Sequence, residues 1–213
     1  MKKTIISISG FSRSGKDTVA DIICMSNKVE RYSFADPIRK VVNMLFGLST
    51  PVNKDDILKY VSRNLKKKVT YRDLCISVGE LMKKQYYKNI WIDAVKNSLN
   101  KFVNNPQTEV AVITDTRYLP EIEAIKQFCE YNSIDLVRTI VFRKEALPEW
   151  TKYGLNPARY EDKKIILDNF NVDRSELEWC CAKNDKYKVI ITNDSGFNDL
   201  ELQVKEKFSF LEI

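Results

Sequence analysis

The chain has 213 residues, 44% hydrophobic, 11% aromatic and 30% charged, with only 6 Gly and 6 Pro, which suits one well-cored domain and excludes fibrous, disordered and low-complexity classes. Lys and Arg number 35 against 29 Asp and Glu; the surplus of +6 is spread along the chain apart from Lys66-Lys67-Lys68, and it suits small phosphorylated ligands as well as nucleic acid. His is absent, which removes Ser-His and Cys-His catalysis, imidazole zinc sites and His-based proton transfer. The five cysteines include no C-x-x-C pair and read as reduced core residues. Met1-Lys2-Lys3 leads straight into a β-like segment, and no run approaches the ~20 apolar residues of a membrane span, so a soluble cytoplasmic protein without a membrane partner is expected.

In chain order, β-branched runs predict buried strands over 4–9 (TIISIS), 30–34, 109–114 (EVAVIT), 136–142 (LVRTIVF) and 187–192 (YKVIIT). Apolar residues recur at three-to-four spacing between them: Val19, Ile22 and Ile23; Ile38, Val41, Val42 and Leu45; Trp91, Val95, Leu99 and Phe102; Ile122, Ile125 and Cys129. Those stripes are the expected core faces of helices, and the alternation implies a parallel α/β sheet of five strands. Residues 48–104 carry no strong strand and predict a helical insertion that opens on a turn at 49–51. The stretch 145–173 is polar, aromatic and weakly periodic, and predicts a mobile excursion.

The first strand runs into Gly10-Phe11-Ser12-Arg13-Ser14-Gly15-Lys16-Asp17-Thr18, a G-x-x-x-x-G-K pattern placed before an apolar-periodic helix. A phosphate-binding loop needs that context. Gly10 and Gly15 permit sharp turns and close backbone approach, successive N–H groups including those of Ser14 and Thr18 ring the phosphates, and the helix start is positive. Lys16 is the expected β- and γ-phosphate ligand, and Arg13 can add a bidentate contact or stay a solvated loop arginine. The Ser/Thr usually found after the lysine is replaced by Asp17, with the hydroxyl one place later at Thr18; Asp17 is therefore the candidate Mg²⁺ ligand.

This loop, followed by Ser33-Phe34-Ala35-Asp36-Pro37-Ile38-Arg39-Lys40, resembles the deoxynucleoside monophosphate kinases known mainly from bacteriophages, P-loop enzymes related to adenylate kinase. Further islands are similar to that family's elements: Thr70-Tyr71-Arg72-Asp73-Leu74, Gly79-Glu80-Leu81, Trp91, Ile113-Thr114-Asp115-Thr116-Arg117, Arg174-Ser175-Glu176 and Ile191-Thr192-Asn193-Asp194. They lie in the family's order across nearly the whole chain, with 145–172 unmatched. The chain departs from the pattern where a Gly-Thr-acid motif is shortened to Gly79-Glu80, and where Asp36 replaces a small residue. The resemblance implies a P-loop NTPase three-layer sandwich in one domain, 1–213, in which 48–104 binds the acceptor and 143–175 forms a lid-like excursion. It also implies that Asp36, Arg39, Arg72, Gly79, Glu80, Trp91, Asp115, Arg117 and Glu121 serve the acceptor.

Each of these residues also has an ordinary structural role open to it. Asp36-Pro37 can cap a helix, Arg39 and Glu80 can be solvated, and Trp91 can be core. Arg72 at a helix start opposes the helix dipole unless an anion or a nearby acid answers it. Asp115 emerges at the carboxyl edge of a parallel sheet, where α/β folds bind ligands, or it caps a helix and pairs with Arg117. Arg143 and Lys144 are lid cations or loop charges.

The expected activity is transfer of the γ-phosphoryl of ATP to a (deoxy)nucleoside 5′-monophosphate, with Lys16, Arg13, Arg117 and Arg143 offsetting charge and Mg²⁺ accompanying ATP. Small nucleotides are the expected partners; nucleic acid and membranes are not, a homodimer is compatible, and in a viral setting the location is the host cytoplasm. The alternatives are a P-loop kinase of another small phosphorylated acceptor and a nucleic-acid-acting P-loop protein such as a polynucleotide kinase. Acids around the acceptor give guanine, which presents N–H donors, a slight advantage over thymine.

Overall fold

The β-branched runs form the strands of one parallel sheet, which helices flank on both faces and bury most fully at its centre. The computed structural model describes residues 3–49, 52–170, 172–181 and 189–211. β1 (Thr4–Ser9), β2 (Val29–Tyr32), β3 (Val110–Ile113), β4 (Asp135–Phe142) and β5 (Val189–Thr192) lie in the order β2-β3-β1-β4-β5. Every pairing is parallel, with Ile6 of β1 opposite Val112 of β3 and Val137 of β4. β1 is thus central, which accounts for its unbroken apolar run. Residues 187 and 188 of the fifth sequence-predicted strand, and 50 and 51 of the predicted turn, lie outside the described residues.

The helices are α1 (Lys16–Ile23), α2 (Asp36–Phe46), α3 (Lys59–Leu65), α4 (Tyr71–Gln85), α5 (Ile90–Asn104), α6 (Leu119–Asn132), α7 (Tyr160–Asn169), α8 (Arg174–Leu177) and α9 (Phe197–Lys207). The chain forms two compact units, residues 1–33 with 98–213, and residues 34–97.

In the first unit, α1 and α9 cover one face of the sheet: Val19, Ile22 and Ile23 meet Ile6, Ile8, Val112 and Val141, with Leu200, Val204 and Phe208 beside them. Each fully buried aliphatic side chain in this layer contributes about 1.5–3 kcal/mol. The other face carries Ile140 of β4 under Ile122 of α6 and Ile166 of α7. Helix, sheet, helix is the three-layer α/β arrangement. The C-terminal end of α5 is held by Lys3, whose ammonium donates to the carbonyls of Phe102 (2.8 Å), Asn105 (2.6 Å) and Thr108 (2.7 Å), a favourable place for a cation on the helix dipole.

The stretch 145–173 differs from its sequence expectation of a mobile excursion. It folds into 3-10 helices at Lys144–Ala146 and Glu149–Tyr153 and then into α7, with α8 and a further 3-10 helix at Glu178–Cys181 following. Trp150, Ile166, Leu177 and Trp179 are buried in a core shared with Phe11. Their spacing fits neither helix nor strand periodicity, so a periodicity reading passes over them.

The second unit is helical. Tyr71 at the start of α4 donates its hydroxyl to Asn43 of α2 (2.8 Å), and a Cβ on Gly79 would approach Ile38 to 3.3 Å, so glycine lets α2 and α4 pack closely. Leu45, expected on the core stripe of α2, is instead 62% exposed, because α2 buries only Val42 and its C-terminal end overhangs an apolar cavity of about 370 Å³.

Candidate nucleotide site

The loop from Gly10 to Thr18 joins central strand β1 to α1 at the carboxyl edge of the sheet. A Cβ on Gly10 would stand 2.7 Å from the Val141 carbonyl and 2.7 Å from Ser14 Oγ, so only glycine lets the loop lie this close to β4. Gly15 adopts φ 93°, a left-handed conformation that glycine reaches without steric cost, and Arg13 adopts φ 65°. Ser14 N–H closes the turn on Phe11 O (3.1 Å). With Gly15 at its cap, α1 begins without a side-chain cap, which leaves its first amides for an anion.

Lys16 is buried, at 9% exposure, and its ammonium lies 3.3 Å from Asp17 Oδ2. Arg31 of β2 donates to Asp17 Oδ1 (3.1 Å) and also pairs with Asp21 one turn along. Asp17 is the residue that could hold Mg²⁺, and no cluster of three His, Cys, Asp or Glu stands among the described residues. A single carboxylate suits an ion carried largely by the phosphates, as Mg²⁺ commonly is.

The end of β3 adds a second layer to the same edge. Thr116 is buried, accepting from Ser7 Oγ (2.9 Å) at its hydroxyl and from Ser9 Oγ (3.1 Å) at its carbonyl. That anchors Asp115 and Arg117 on either side. Asp115 Oδ2 accepts from Ser33 Oγ (2.7 Å), and Arg117 Nη1 donates to Ser175 Oγ (3.2 Å) and Glu176 Oε1 (3.4 Å). The Asp115–Arg117 pair weighed from sequence is therefore replaced by two separate bonds. The helix-capping role falls to Glu121, whose Oε2 accepts from the N–H groups of Arg117 (2.8 Å) and Tyr118 (3.0 Å).

Glu176 Oε2 also accepts from the N–H of Ser12 in the loop (2.9 Å), so one carboxylate bridges Arg117 and the phosphate loop. Beside it, hydrogen bonds from Ser175 hold the Asp173 carboxyl below its ordinary range, while burial and then the Asp173 charge push the Tyr118 hydroxyl up. Arg143, at the end of β4, pairs with Glu145 (3.0 Å).

The remaining acceptor candidates lie in the helical unit. Asp36 is the first residue of α2, with Ala35 at the cap, so it acts in the first turn rather than as the cap itself; its carboxylate meets Arg39 (3.2 Å). Arg72 pairs with Asp55 (3.3 Å), and Thr70 with Asp73 forms a capping box ahead of it. The Thr70 bonds hold the Asp73 carboxyl below its ordinary range. Glu80 is paired with Lys83 (2.9 Å). Trp91 is 7% exposed and donates its indole N–H to Gly79 O (3.0 Å), so in this unit it is a packed ring beneath Gly79.

Thus Gly10, Arg13, Ser14, Gly15, Lys16, Asp17 and Thr18 form one loop, Arg117 joins it through Glu176, and Asp36, Arg39, Arg72, Gly79, Glu80 and Trp91 belong to the other unit. Sequence reasoning assigned no role to Phe11, Arg31, Ser33, Glu176 or Asn193. Four of these stood in recognised stretches, Phe11 in the loop itself, Ser33 at the head of Ser33-Phe34-Ala35-Asp36, Glu176 in Arg174-Ser175-Glu176 and Asn193 in Ile191-Thr192-Asn193-Asp194, and that was the available signal.

Comparison with known proteins bears on this edge of the sheet. Residues 4–59 match the family model for deoxynucleotide monophosphate kinase. The match takes in β1, the phosphate loop, α1, β2 and α2, about a quarter of the chain. No curated protein matches the chain. Among solved structures, a kinase-like protein from Chloroflexus aurantiacus is 11% identical with a TM-score of 0.47, covering 100% of this chain and 98% of its own. An APS kinase from Mycobacterium tuberculosis, solved with AMPPNP and APS, is 11% identical with a TM-score of 0.48, covering 100% and 99%. A gluconokinase from Sinorhizobium meliloti is 12% identical with a TM-score of 0.43, covering 99% and 94%. Among the described residues no helix is long and apolar enough to cross a membrane.

Proposed function

We propose that the protein transfers the γ-phosphoryl of ATP to a (deoxy)nucleoside 5′-monophosphate, releasing ADP and the corresponding diphosphate. The observation that carries this reading is the loop of residues 10–18: two glycines placed by close contacts, a buried lysine and an uncapped helix start, within the stretch that matches the deoxynucleotide monophosphate kinase model.

In this scheme the loop amides and Lys16 hold the β- and γ-phosphates, and Arg13 and Arg143 add positive charge at the same edge. Arg117, joined to the loop through Glu176, stabilises charge on the transferring group. Asp17, with Thr18 next to it, would hold Mg²⁺, which when bound would supply charge neutralisation to the phosphates. An acceptor phosphate oxygen is already an anion and needs no general base, which suits a chain without His. Asp36, Arg39, Arg72 and Glu80 of the helical unit, together with Asp115, are assigned to the acceptor, with Trp91 supporting Gly79 from beneath. Asp36, Glu80, Asp115 and Glu121 each already have a partner, so the acid-based preference for guanine is not carried forward.

The test is ADP release in a coupled assay, with and without Mg²⁺, across the ribo- and deoxynucleoside monophosphates and 5′-hydroxyl DNA ends. Stimulation by monophosphates supports the reading. Stimulation by DNA ends alone, or by no nucleotide acceptor, refutes it.

A further inference from the structure

Asn193 follows β5 directly, far from the phosphate loop in sequence, yet its side chain is built against that loop. Its Nδ2 donates to the carbonyl of Ser14 at 3.0 Å. A Cβ on Gly15 would fall 2.2 Å from the same Nδ2 and 3.2 Å from Cγ, so the amide fills the space a side chain at position 15 needs.

The asparagine is itself fixed from both sides. Its N–H donates to Phe142 O at the end of β4 (2.8 Å), and the carboxylate of the next residue, Asp194, accepts from the N–H of Lys144 (2.7 Å). β4 is in turn paired with β1 up to Ser9 opposite Ile140, one residue before the loop begins. The ends of β4 and β5 therefore present one rigid amide to the Ser14–Gly15 peptide.

We infer that Asn193 is a positioning residue for the donor site: it pins the Ser14 carbonyl outward, so that the amide of Gly15, in the same peptide plane, stays turned toward the phosphates. The physical basis is that a peptide plane has two ends. Holding its carbonyl fixes the direction of the N–H on the other side, and a cradle of amides binds an anion well only when those directions are set in advance. The inference rests on the proposed donor site and adds to it a residue that acts through the Ser14–Gly15 peptide.

The experiment compares the full chain with Asn193→Ala and Asn193→Leu. Leucine keeps the branched shape of asparagine without its donor or any charge, so it guards against a fold lost through a cavity. Calorimetric ATP affinity, KM for ATP, KM for the best monophosphate and the thermal midpoint are measured on each. The expected result is ATP binding weakened about ten-fold in both variants, as befits loss of one half-buried hydrogen bond at the loop. The monophosphate KM should stay within about two-fold of the parent's. If Asn193→Leu binds ATP as the parent does, or if both substrates weaken equally, the inference is overturned. Lys16→Ala separates this from the underlying reading: ATP affinity that does not depend on Lys16 overturns the donor site itself, whereas Lys16-dependent binding unchanged in the Asn193 variants overturns only the role of Asn193.

Discussion

Phe11 is the second residue of the phosphate loop, yet it is only 5% exposed, wedged edge-on against Trp150 (ring centroids 5.9 Å) and Trp179 (4.8 Å). Truncating a buried phenylalanine to alanine costs about 3–5 kcal/mol. Phe11→Leu keeps most of the buried area and loses the two edge-to-face pairs, each worth roughly 0.5–1.5 kcal/mol beyond area, so it should cost about 1–3 kcal/mol. At roughly 2–4 °C per kcal/mol for a chain of this size, the expected fall in thermal midpoint is about 6–20 °C for alanine and about 2–12 °C for leucine. Emission supplies the localised readout. Two of the three tryptophans, Trp150 and Trp179, sit in this cluster while Trp91 belongs to the helical unit, so emission should shift to the red in Phe11→Ala and much less in Phe11→Leu. ATP affinity should fall with it, because the loop loses its anchor. A Phe11→Ala protein with the parent's midpoint and emission would refute the idea that residues 145–181 are locked to the loop through this ring.

Lys16→Ala should keep the thermal midpoint within a few degrees and lose at least about 100-fold in turnover, measured by ADP release; near-parental turnover would remove the donor site from this loop. Arg31→Gln removes one of the two cations on Asp17 and leaves Lys16, so half-maximal activity should come at a lower Mg²⁺ concentration than in the parent, whereas Asp17→Ala should need more; coincident magnesium titrations for all three would separate Asp17 from the metal. Arg72→Ala and Arg117→Ala should each lose roughly ten- to a hundred-fold in kcat/KM for the monophosphate while calorimetric ATP affinity changes far less. The Asp173 carboxyl is held low by Ser175, so it stabilises the fold above its ordinary value near 3.8 and that contribution is lost as pH falls through the lower folded value. Asp173→Asn should therefore flatten the acid side of a midpoint-against-pH curve, and an unchanged acid limb would refute the assignment.

The sheet was legible because each strand is a short β-branched run in a wholly parallel order, where burial on both faces leaves a dense apolar signal. The two edge strands are the exceptions that show the rule: β5 buries only Ile191, and β2 buries none of its residues fully and ends at Tyr32, two residues before its sequence-predicted limit. The helical unit was legible as helices, yet the exposed Leu45 shows that three-to-four spacing marks a face without saying what covers it. The stretch 145–173 is illegible for the opposite reason: a polar 3-10 turn and the helix α7 each carry one isolated anchor, Trp150 and Ile166, buried in the cluster that also takes in the loop residue Phe11.

The same logic divides the candidate site. Gly10, Gly15 and Lys16 could be read from sequence because their spacing is set by covalent geometry, the sharp turn from a strand into a helix. Nothing local sets the residues that hold that turn in place. Asn193 meets the loop through the ends of two strands, Glu176 through a one-turn helix, and Trp150 and Trp179 through their edge contacts with Phe11, so their positions in sequence are free as long as the fold brings them to one edge. A phosphate loop is therefore recognisable from nine residues but made stiff by residues more than a hundred positions away. It follows that substitutions at Asn193, Trp150 or Trp179 should appear first as weaker ATP binding, before any change at the acceptor, because what they support is the proposed donor loop, whereas Glu176 also holds Arg117 and its loss should reach both substrates.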